Sequence, residues 1–217
     1  MATTRTYGDG CAIAHGLDFV GERWALLVVR ELLLGPKRFT DLKRGLPNAS
    51  PNVISERLRE LERAGIVERD TLPPPAGSRV YRLTHWGQEL EPLVIGLGRW
   101  ASRSPSPPRT APIGTDSIAL ALKDRFDAGA AEGLRAGYAL RLGDDRFRVT
   151  VSDAQIEVAR GDAGRPDATI ETDPDTLAAV LWNGRAVADA QRSGAMRIDG
   201  DVQAVERFPT LFPLSRT

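Results

Sequence analysis

The stretch that most restricts what this chain can fold into is FTDLKRGLPNASPNVISERLRELERAG, residues 39–65. Phe39, Leu42 and Leu46 recur at three- and four-residue intervals, so a short helix with one apolar stripe is expected. Ser50 is a good N-cap, and Pro51 suits the first helical position, where an N–H would have no partner. A second helix should then run from Pro51 to Ala64, with Gly65 as the left-handed residue beyond its end. At about 100° per residue, Ile54, Leu58 and Leu61 share one face of it. Asn52, Ser55, Glu56, Arg59 and Arg63 project from the other. Amide, hydroxyl and guanidinium groups are the types that bond base edges and phosphates in a major groove. Helix, turn and polar-faced helix is a DNA-reading arrangement. An amphipathic helix with a solvated face accounts for the same pattern.

The flanking sequence adds to this unit. Residues 12–20 (AIAHGLDFV) place Ile13, Leu17 and Val20 at helical spacing. ERWALLVVRELLLG is almost continuously apolar and predicts a buried helix ending at Gly35-Pro36, with Trp24 in the core. After the polar-faced helix, IVERD (66–70) and RVYRL (79–83) alternate apolar with polar residues, and the turn-forming TLPPPAGS lies between them. A hairpin follows from this pattern. Such a wing would bring Arg69, Arg79 and Arg82 near backbone phosphate or a minor groove. From Thr84 a helix is expected to about Ser102, with Leu90, Leu93, Val94, Leu97 and Trp100 on one face. A long apolar stripe after a closed compact unit suggests a partner helix across a dimer.

Residues 102–115, SRSPSPPRTAPIGT, form a Ser/Pro-rich connector. The expected organisation is a first domain over 1–103, a linker over 104–115 and a second domain over 116–217. SIALALKDRFDAG reads as a helix. YALRL (138–142), RFRVTV (146–151), QIEVAR (155–160) and ATIET (168–172) read as antiparallel strands with one apolar face. Asp173-Pro174 opens a helix through Leu177, Val180, Leu181 and Trp182, and a second helix spans about 185–193. MRID returns as a strand, and GDVQAVERFPTLFPL closes as a helix with Val202, Val205, Phe208 and Phe212 available for burial. The fold class is therefore a mainly α winged helix-turn-helix domain followed by an α+β domain, its antiparallel sheet covered by helices.

Charge and composition narrow the function. The formal net charge of the 217 residues is zero, but residues 1–104 carry +3, residues 105–217 carry −3, and the window 36–82 carries +4. A weakly basic first half can meet phosphates. The single cysteine, Cys11, excludes an internal disulfide framework and fits a reducing cytoplasm. No apolar run approaches the roughly 20 residues needed to span a bilayer, and MATTRTYGDG lacks the apolar core of a signal peptide. A cytoplasmic protein without a membrane partner is expected. The two histidines, His15 and His85, stand far apart, and no Cys/His cluster, phosphate loop or nucleophile motif is present. No catalytic residue, metal or cofactor is predicted, hence no enzyme.

Together, GERWALLVVRELLLGPKRFTDLKRGLP, SPNVISERLRELERAGIVERD and YRLTHWGQEL, with Cys11 ahead of them, resemble the HxlR family of winged helix-turn-helix transcriptional regulators over nearly all of residues 10–100. The resemblance implies a homodimer joined through terminal helices, with one recognition helix per half-site of a palindromic double-stranded operator. Carried onto this chain, the readout face is Ser50, Asn52, Ser55 and Arg59, with Arg79 added from the wing. Arg57, at the flank of the apolar stripe, reads as an intramolecular or phosphate contact instead. Several family members sense oxidants or electrophiles through a cysteine near the N-terminus, which makes Cys11 the redox candidate. That chemistry needs an exposed thiolate in a positive neighbourhood; a small buried apolar residue in the dimer interface is the alternative.

A second resemblance covers residues 116–214. Asp167-Ala168-Thr169, Asp173-Pro174, Gly184, Ser193-Gly194 and Gly200-Asp201 stand as in the second half of sterol-carrier-protein-like domains. That fold implies a five-stranded sheet with helices over one face and an apolar tunnel for a lipid-like ligand. Tyr138, Val149, Ile156, Leu181, Trp182, Met196, Phe208 and Phe212 are the pocket candidates, and they equally suit a solid core. The function expected is a homodimeric DNA-binding regulator controlled by a hydrophobic or small organic ligand in the second domain. The alternatives are a lipid or metabolite carrier, or an interaction protein, whose winged domain only dimerises, and a thiol-switched repressor using Cys11.

Overall fold

The computed structural model describes residues 6–73, 77–106 and 111–213, with the side chains of residues 202 and 203 excepted. The chain divides into two compact units, Met1–Trp100 and Ala101–Thr217. The first holds α1 (Ala12–Val20), α2 (Ala25–Leu32), α3 (Phe39–Gly45), α4 (Pro51–Arg63), β1 (Val67–Thr71), β2 (Arg79–Leu83), α5 (His85–Gln88) and α6 (Glu91–Ala101). Its core is built by the apolar stripes the sequence spaced: Val28, Val29 and Leu32 from α2, Leu42 from α3, and Ile54, Leu58 and Leu61 from α4. Ile66, Val67, Val80 and Leu83 close it from the wing side. Each such side chain stabilises the unit by about 1.5–3 kcal/mol on burial.

The wing is antiparallel, with Val67 opposite Leu83 and Thr71 opposite Arg79. The part of its expected Pro-rich tip at 74–76 lies outside the described residues. Lys37 adds an isolated bridge to Tyr81, each backbone N–H donating to the other's carbonyl. The same Lys37 carries a buried ammonium whose Nζ lies 2.6 Å from Glu31 Oε2, while Arg30 donates to Glu31 Oε1 at 2.7 Å. A Cβ on Gly45 would stand 2.0 Å from Glu31 Oε2, so α3 must present a glycine where it crosses this pair. Wing, α2 and α3 thus meet at one ion pair.

Two expectations for this unit change. The apolar helix begins only at Ala25, because Trp24 caps it in the left-handed region at φ 79°. Trp24 is half-buried, with the Arg23 guanidinium 5.4 Å from its ring centroid, and so is not a core residue. The expected helix over 84–102 is two helices, α5 and α6. Pro92 has no N–H to give to the Gln88 carbonyl, so the ladder breaks across 89–90 and restarts.

The second unit holds α7 (Thr115–Arg125), β3 (Ala136–Leu142), β4 (Asp145–Ser152), β5 (Gln155–Arg160), β6 (Ala168–Thr172), α8 (Pro174–Trp182), α9 (Val187–Arg192), β7 (Met196–Gly200), α10 (Val202–Arg207) and a 3₁₀ turn at Phe208–Leu211. The sheet order is β5-β4-β3-β6-β7. It is mixed, which corrects the antiparallel expectation: β6 lies parallel to β3, from Tyr138 opposite Ala168 to Leu142 opposite Thr172. Residues 161–167 carry the chain from the edge strand β5 back across β4 and β3, and that crossover makes β6 run in the direction of β3. Strand alternation then buries Tyr138, Leu140, Leu142, Phe147, Val149, Val151, Val158 and Ile170 on one face, under the helices. Arg141, Arg146, Arg148, Glu157, Glu171 and Arg197 stand on the other.

Two polar ties hold this unit. Arg160 reaches from β5 to Asp116 on α7 at 2.6 Å and to Asp145 on β4, with its guanidinium 4.7 Å from the Phe147 ring centroid. At the far end of the sheet, the Asp167 carboxylate accepts from the Gly137 N–H at 2.7 Å, and the Asp201 N–H donates to the Asp167 carbonyl at 2.9 Å. Gly200 sits at φ +100°, where a Cβ would stand 2.4 Å from that same carbonyl. Asp167-Ala168 and Gly200-Asp201, remote in sequence, are therefore one corner of the sheet.

Candidate nucleic-acid interface

The polar face of α4 is set by how its other face is docked. Ile54, Leu58 and Leu61 are buried, which fixes the rotation of the helix and turns Asn52, Arg59 and Arg63 outward. Ser50 caps the first turn, its hydroxyl accepting from the Val53 N–H at 3.3 Å. That bond uses one lone pair and leaves the hydroxyl proton available. Ser55 is half-buried, and its carbonyl accepts from Arg59 Nε at 3.2 Å. This lays the Arg59 stem along the helix, and its terminal nitrogens make no ion pair among the described residues. Lys43 Nζ donates to the Pro47 carbonyl at 3.2 Å and braces the turn into α4.

Arg57 points the other way. Its guanidinium lies 3.2 Å from Glu22, 3.1 Å from Glu60 and 3.3 Å from Glu56, and the residue is only 7% exposed. Three carboxylates around one cation tie α4 to the loop after α1. Buried behind them, Arg57 stands away from the outward face.

The three wing arginines differ in the same way. Arg69 pairs with Glu62 at 3.1 Å and stacks over Tyr81 at 5.8 Å. Arg82 pairs with Glu68 at 2.7 Å and Asp70 at 3.0 Å. Arg79, the β2 residue nearest the tip, is exposed and makes no ion pair among the described residues. With Arg69, Asp70, Thr71, Val80 and Tyr81 it lines a surface cavity of about 480 Å³. The readout candidates Asn52, Ser55 and Arg59 thus share one face of α4 while Ser50 caps its first turn, and Arg79 is the wing cation that makes no ion pair among the described residues. Sequence reasoning passed over Glu31, Lys37 and Gly45, which hold the wing in place. A lone acid inside an apolar helix, as in RELLLG, was the available sign.

Outside this face, the apolar side of α6 is open: Leu93 is 65% and Trp100 68% exposed, with Leu97 between them. Ile13 and Leu17 of α1 are exposed as well. Cys11 stands exposed at the N-cap of α1. The amides of Ala14 and Ile13 in the first turn hold its thiol below the ordinary value, although no capping hydrogen bond to the sulfur forms. Among the described residues, no group of three or more His, Cys, Asp or Glu side chains is placed to hold a metal ion, and no helix is long and apolar enough to cross a membrane.

The pocket candidates of the second unit are mostly core residues. Tyr138, Val149, Phe208 and Phe212 are fully buried, Met196 and Leu181 nearly so, and Ile156 and Trp182 half-buried. Tyr138 meets Phe208 edge-on at 4.8 Å between ring centroids, and Phe208 meets Phe212 at 5.0 Å. Their polar tips are satisfied internally. Tyr138 Oη donates to the Ala204 carbonyl at 3.1 Å and Trp182 Nε1 to the Phe212 carbonyl at 3.2 Å. Burial raises the Tyr138 hydroxyl above its usual range.

Two family models match the chain: HxlR-like helix-turn-helix over residues 19–107 and the SCP-2 sterol transfer family over 118–213. The HTH-type transcriptional regulator YvaP of Bacillus subtilis is 41% identical over 86 residues, which is 40% of this chain and 80% of that protein. The HTH-type transcriptional regulator YodB of the same organism is 36% identical over 86 residues, covering 40% and 77%. Among solved structures, the sec-alkylsulfatase Pisa1 of a Pseudomonas species aligns at 19% identity and a TM-score of 0.45, over 48% of this chain and 17% of that one. That likeness is too distant to bear on function.

Proposed function

The chain belongs to the HxlR-like helix-turn-helix family, and on that footing we propose that it is a DNA-binding transcriptional regulator with α4 as its recognition helix. The observation that carries this reading is the division of arginines. Arg57, Arg69 and Arg82 are held by carboxylates, whereas Arg59 lies on the α4 face that carries Asn52 and Ser55, and Arg79 stands without an ion pair on the wing among the described residues. Asn52 and Arg59 suit adenine and guanine edges, and Arg79 suits phosphate. The open stripe of Leu93, Leu97 and Trp100 joins two copies, so the operator is a palindrome with half-sites one helical turn or a multiple apart. The second unit carries an SCP-2 domain, and we assign to it the sensing of a small organic ligand that biases the spacing of the two recognition helices.

Fluorescence anisotropy on DNA from upstream of the coding region, repeated over a range of salt, tests this. Nanomolar affinity at physiological salt and a steep fall with added salt are expected. Failure of every such fragment to bind would remove the regulator reading.

One observation favours a second form of control. Cys11 is exposed, and the first-turn amides of α1 favour its thiolate. Alkylating Cys11 should then change operator affinity; an unchanged affinity would leave ligand control alone.

A further inference from the structure

The outer face of the second unit's sheet holds a small cavity. After β5, Gly161 turns the chain at φ +125°, and residues 161–166 arch over β4 and β3 on their way to β6. Beneath the arch the sheet floor is made of small residues, Ala139 and Thr169, so the crossover does not settle onto the strands. The space between is a half-open cavity of about 270 Å³, walled by Gly161, Asp162, Ala163, Gly164 and Pro166. That is just below the roughly 300–1,000 Å³ of drug-sized ligand sites and suits a smaller ligand.

Two arginines open into it. Arg141 on β3 and Arg146 on β4 are directly opposite in the antiparallel register, where like charges repel across about 5 Å between Cβ atoms. Each makes only a long ion pair: Arg141 lies 3.8 Å from Glu171 and Arg146 lies 3.6 Å from Asp162. Charge-assisted hydrogen bonds are about 2.7–2.9 Å, so neither contact is one. Both carboxylates are also open to solvent, Asp162 at 81% and Glu171 at 51% side-chain exposure. On the same sheet face Arg148 does donate to Glu157 at 3.3 Å. Among the described residues, Arg141 and Arg146 are thus a facing pair with no side-chain hydrogen bond to a carboxylate, at the mouth of a cavity.

We propose that this cavity is a binding site for a small organic anion, with a carboxylate or phosphate group held between the Arg141 and Arg146 guanidinium groups. The body of the ligand would rest on Ala139 and Thr169. The planar fork of an arginine matches either oxyanion, and an anion placed between the two removes their mutual repulsion. The site lies on the opposite side of the sheet from Tyr138, Phe208 and Phe212 and is independent of the apolar interior.

Calorimetric titration of the full chain at low ionic strength, with inorganic phosphate and separately with benzoate, tests the proposal. Saturable one-site binding of either probe is expected, and the probe that binds identifies the headgroup. Arg141→Gln and Arg146→Gln should each weaken it at least tenfold, whereas Arg148→Gln and Arg59→Ala should leave it unchanged; the last separates this site from phosphate contacts on α4. Because repulsion is relieved, each single variant should melt no lower than the parent chain without ligand. No saturable binding of either probe, binding indifferent to both substitutions, or a lowered melting temperature in both variants would overturn the assignment.

Discussion

Replacing Glu31 by Gln is the sharpest test of how the first unit holds its wing. The carboxylate is 2% exposed, with Lys37 Nζ at 2.6 Å and Arg30 at 2.7 Å, and Lys37 itself is 4% exposed. The amide keeps the shape but leaves a buried ammonium beside a neutral group. Removing one partner of a buried pair costs about 3–5 kcal/mol, and the retained carbonyl acceptor places Glu31→Gln near 3. For a unit of this size each kcal/mol moves Tm by about 4–8 °C, so a fall of at least ~12 °C is expected. Urea unfolding followed by tryptophan fluorescence reads it, in a Trp182→Phe background that confines the signal to Trp24, Trp86 and Trp100. The midpoint should drop by about 1–3 M at a typical slope. Burial alone would raise the Glu31 carboxyl, but Lys37 and Arg30 outweigh it and hold the group below its ordinary range. Its contribution is therefore present above the carboxyl's unfolded value and is lost as pH falls through the lower folded one. The gap between parent and variant should be constant from neutral pH down to about 4 and close below that. The double variant Glu31→Leu/Lys37→Met, which removes both charges, should recover most of the loss. A Tm change under about 4 °C for Glu31→Gln, or a double variant worse than the single, would refute the reasoning.

Other substitutions probe the remaining features. Arg59→Ala should cost about 1–3 kcal/mol on operator DNA and relax preference at one base position; an equal loss on random DNA would make it a phosphate contact only. Ala154, at φ 56° in the β4–β5 turn, carries a Cβ in a region that costs an L-residue about 1–2 kcal/mol. Ala154→Gly should accordingly raise the melting temperature of the second unit, and a fall would count against strain there. Gly200→Ala should destabilise that unit by more than about 3 kcal/mol, since the new Cβ meets the Asp167 carbonyl at a left-handed φ; recovery of full stability in thermal melts would contradict it. Ser50→Ala, removing the cap to Val53, should lower stability by about 1 kcal/mol in denaturant titrations.

Much of the first unit was legible because its signals are local. Ser50-Pro51, the spacing of Ile54, Leu58 and Leu61, and Gly65 define α4 without reference to anything distant, and the helix runs from Pro51 to Arg63. Alternation likewise marked β1 and β2. The errors fall where a local pattern has two solutions. An apolar run such as ERWALLVVRELLLG does not reveal that Trp24 will cap the helix at positive φ, and the stripe from Leu90 to Trp100 did not register the break that Pro92 imposes. In the second unit, alternation located the strands but not their order. The insertion of β6 beside β3 depends on which edge the crossover reaches, and the parallel pairing follows from that.

The sequence by itself determined the kind of surface α4 presents, because apolar spacing fixes which side chains a helix turns inward and so which remain outside. It also placed Cys11 near the start of the first helix and marked the Gly and Asp residues that later prove to share one sheet corner. Only the tertiary structure decided which wing arginine is available, whereas the place of Arg57 beside the apolar stripe already set it apart from Arg59. Arg69 meets Glu62 of α4 and Arg82 meets Glu68 and Asp70 of the facing strand, whereas Arg79 meets no carboxylate among the described residues. The pairing of Arg141 with Arg146 under the 161–166 arch is of the same kind. Whether a charge is spent depends on distances of a few ångströms between residues remote in sequence, and periodicity carries no record of them.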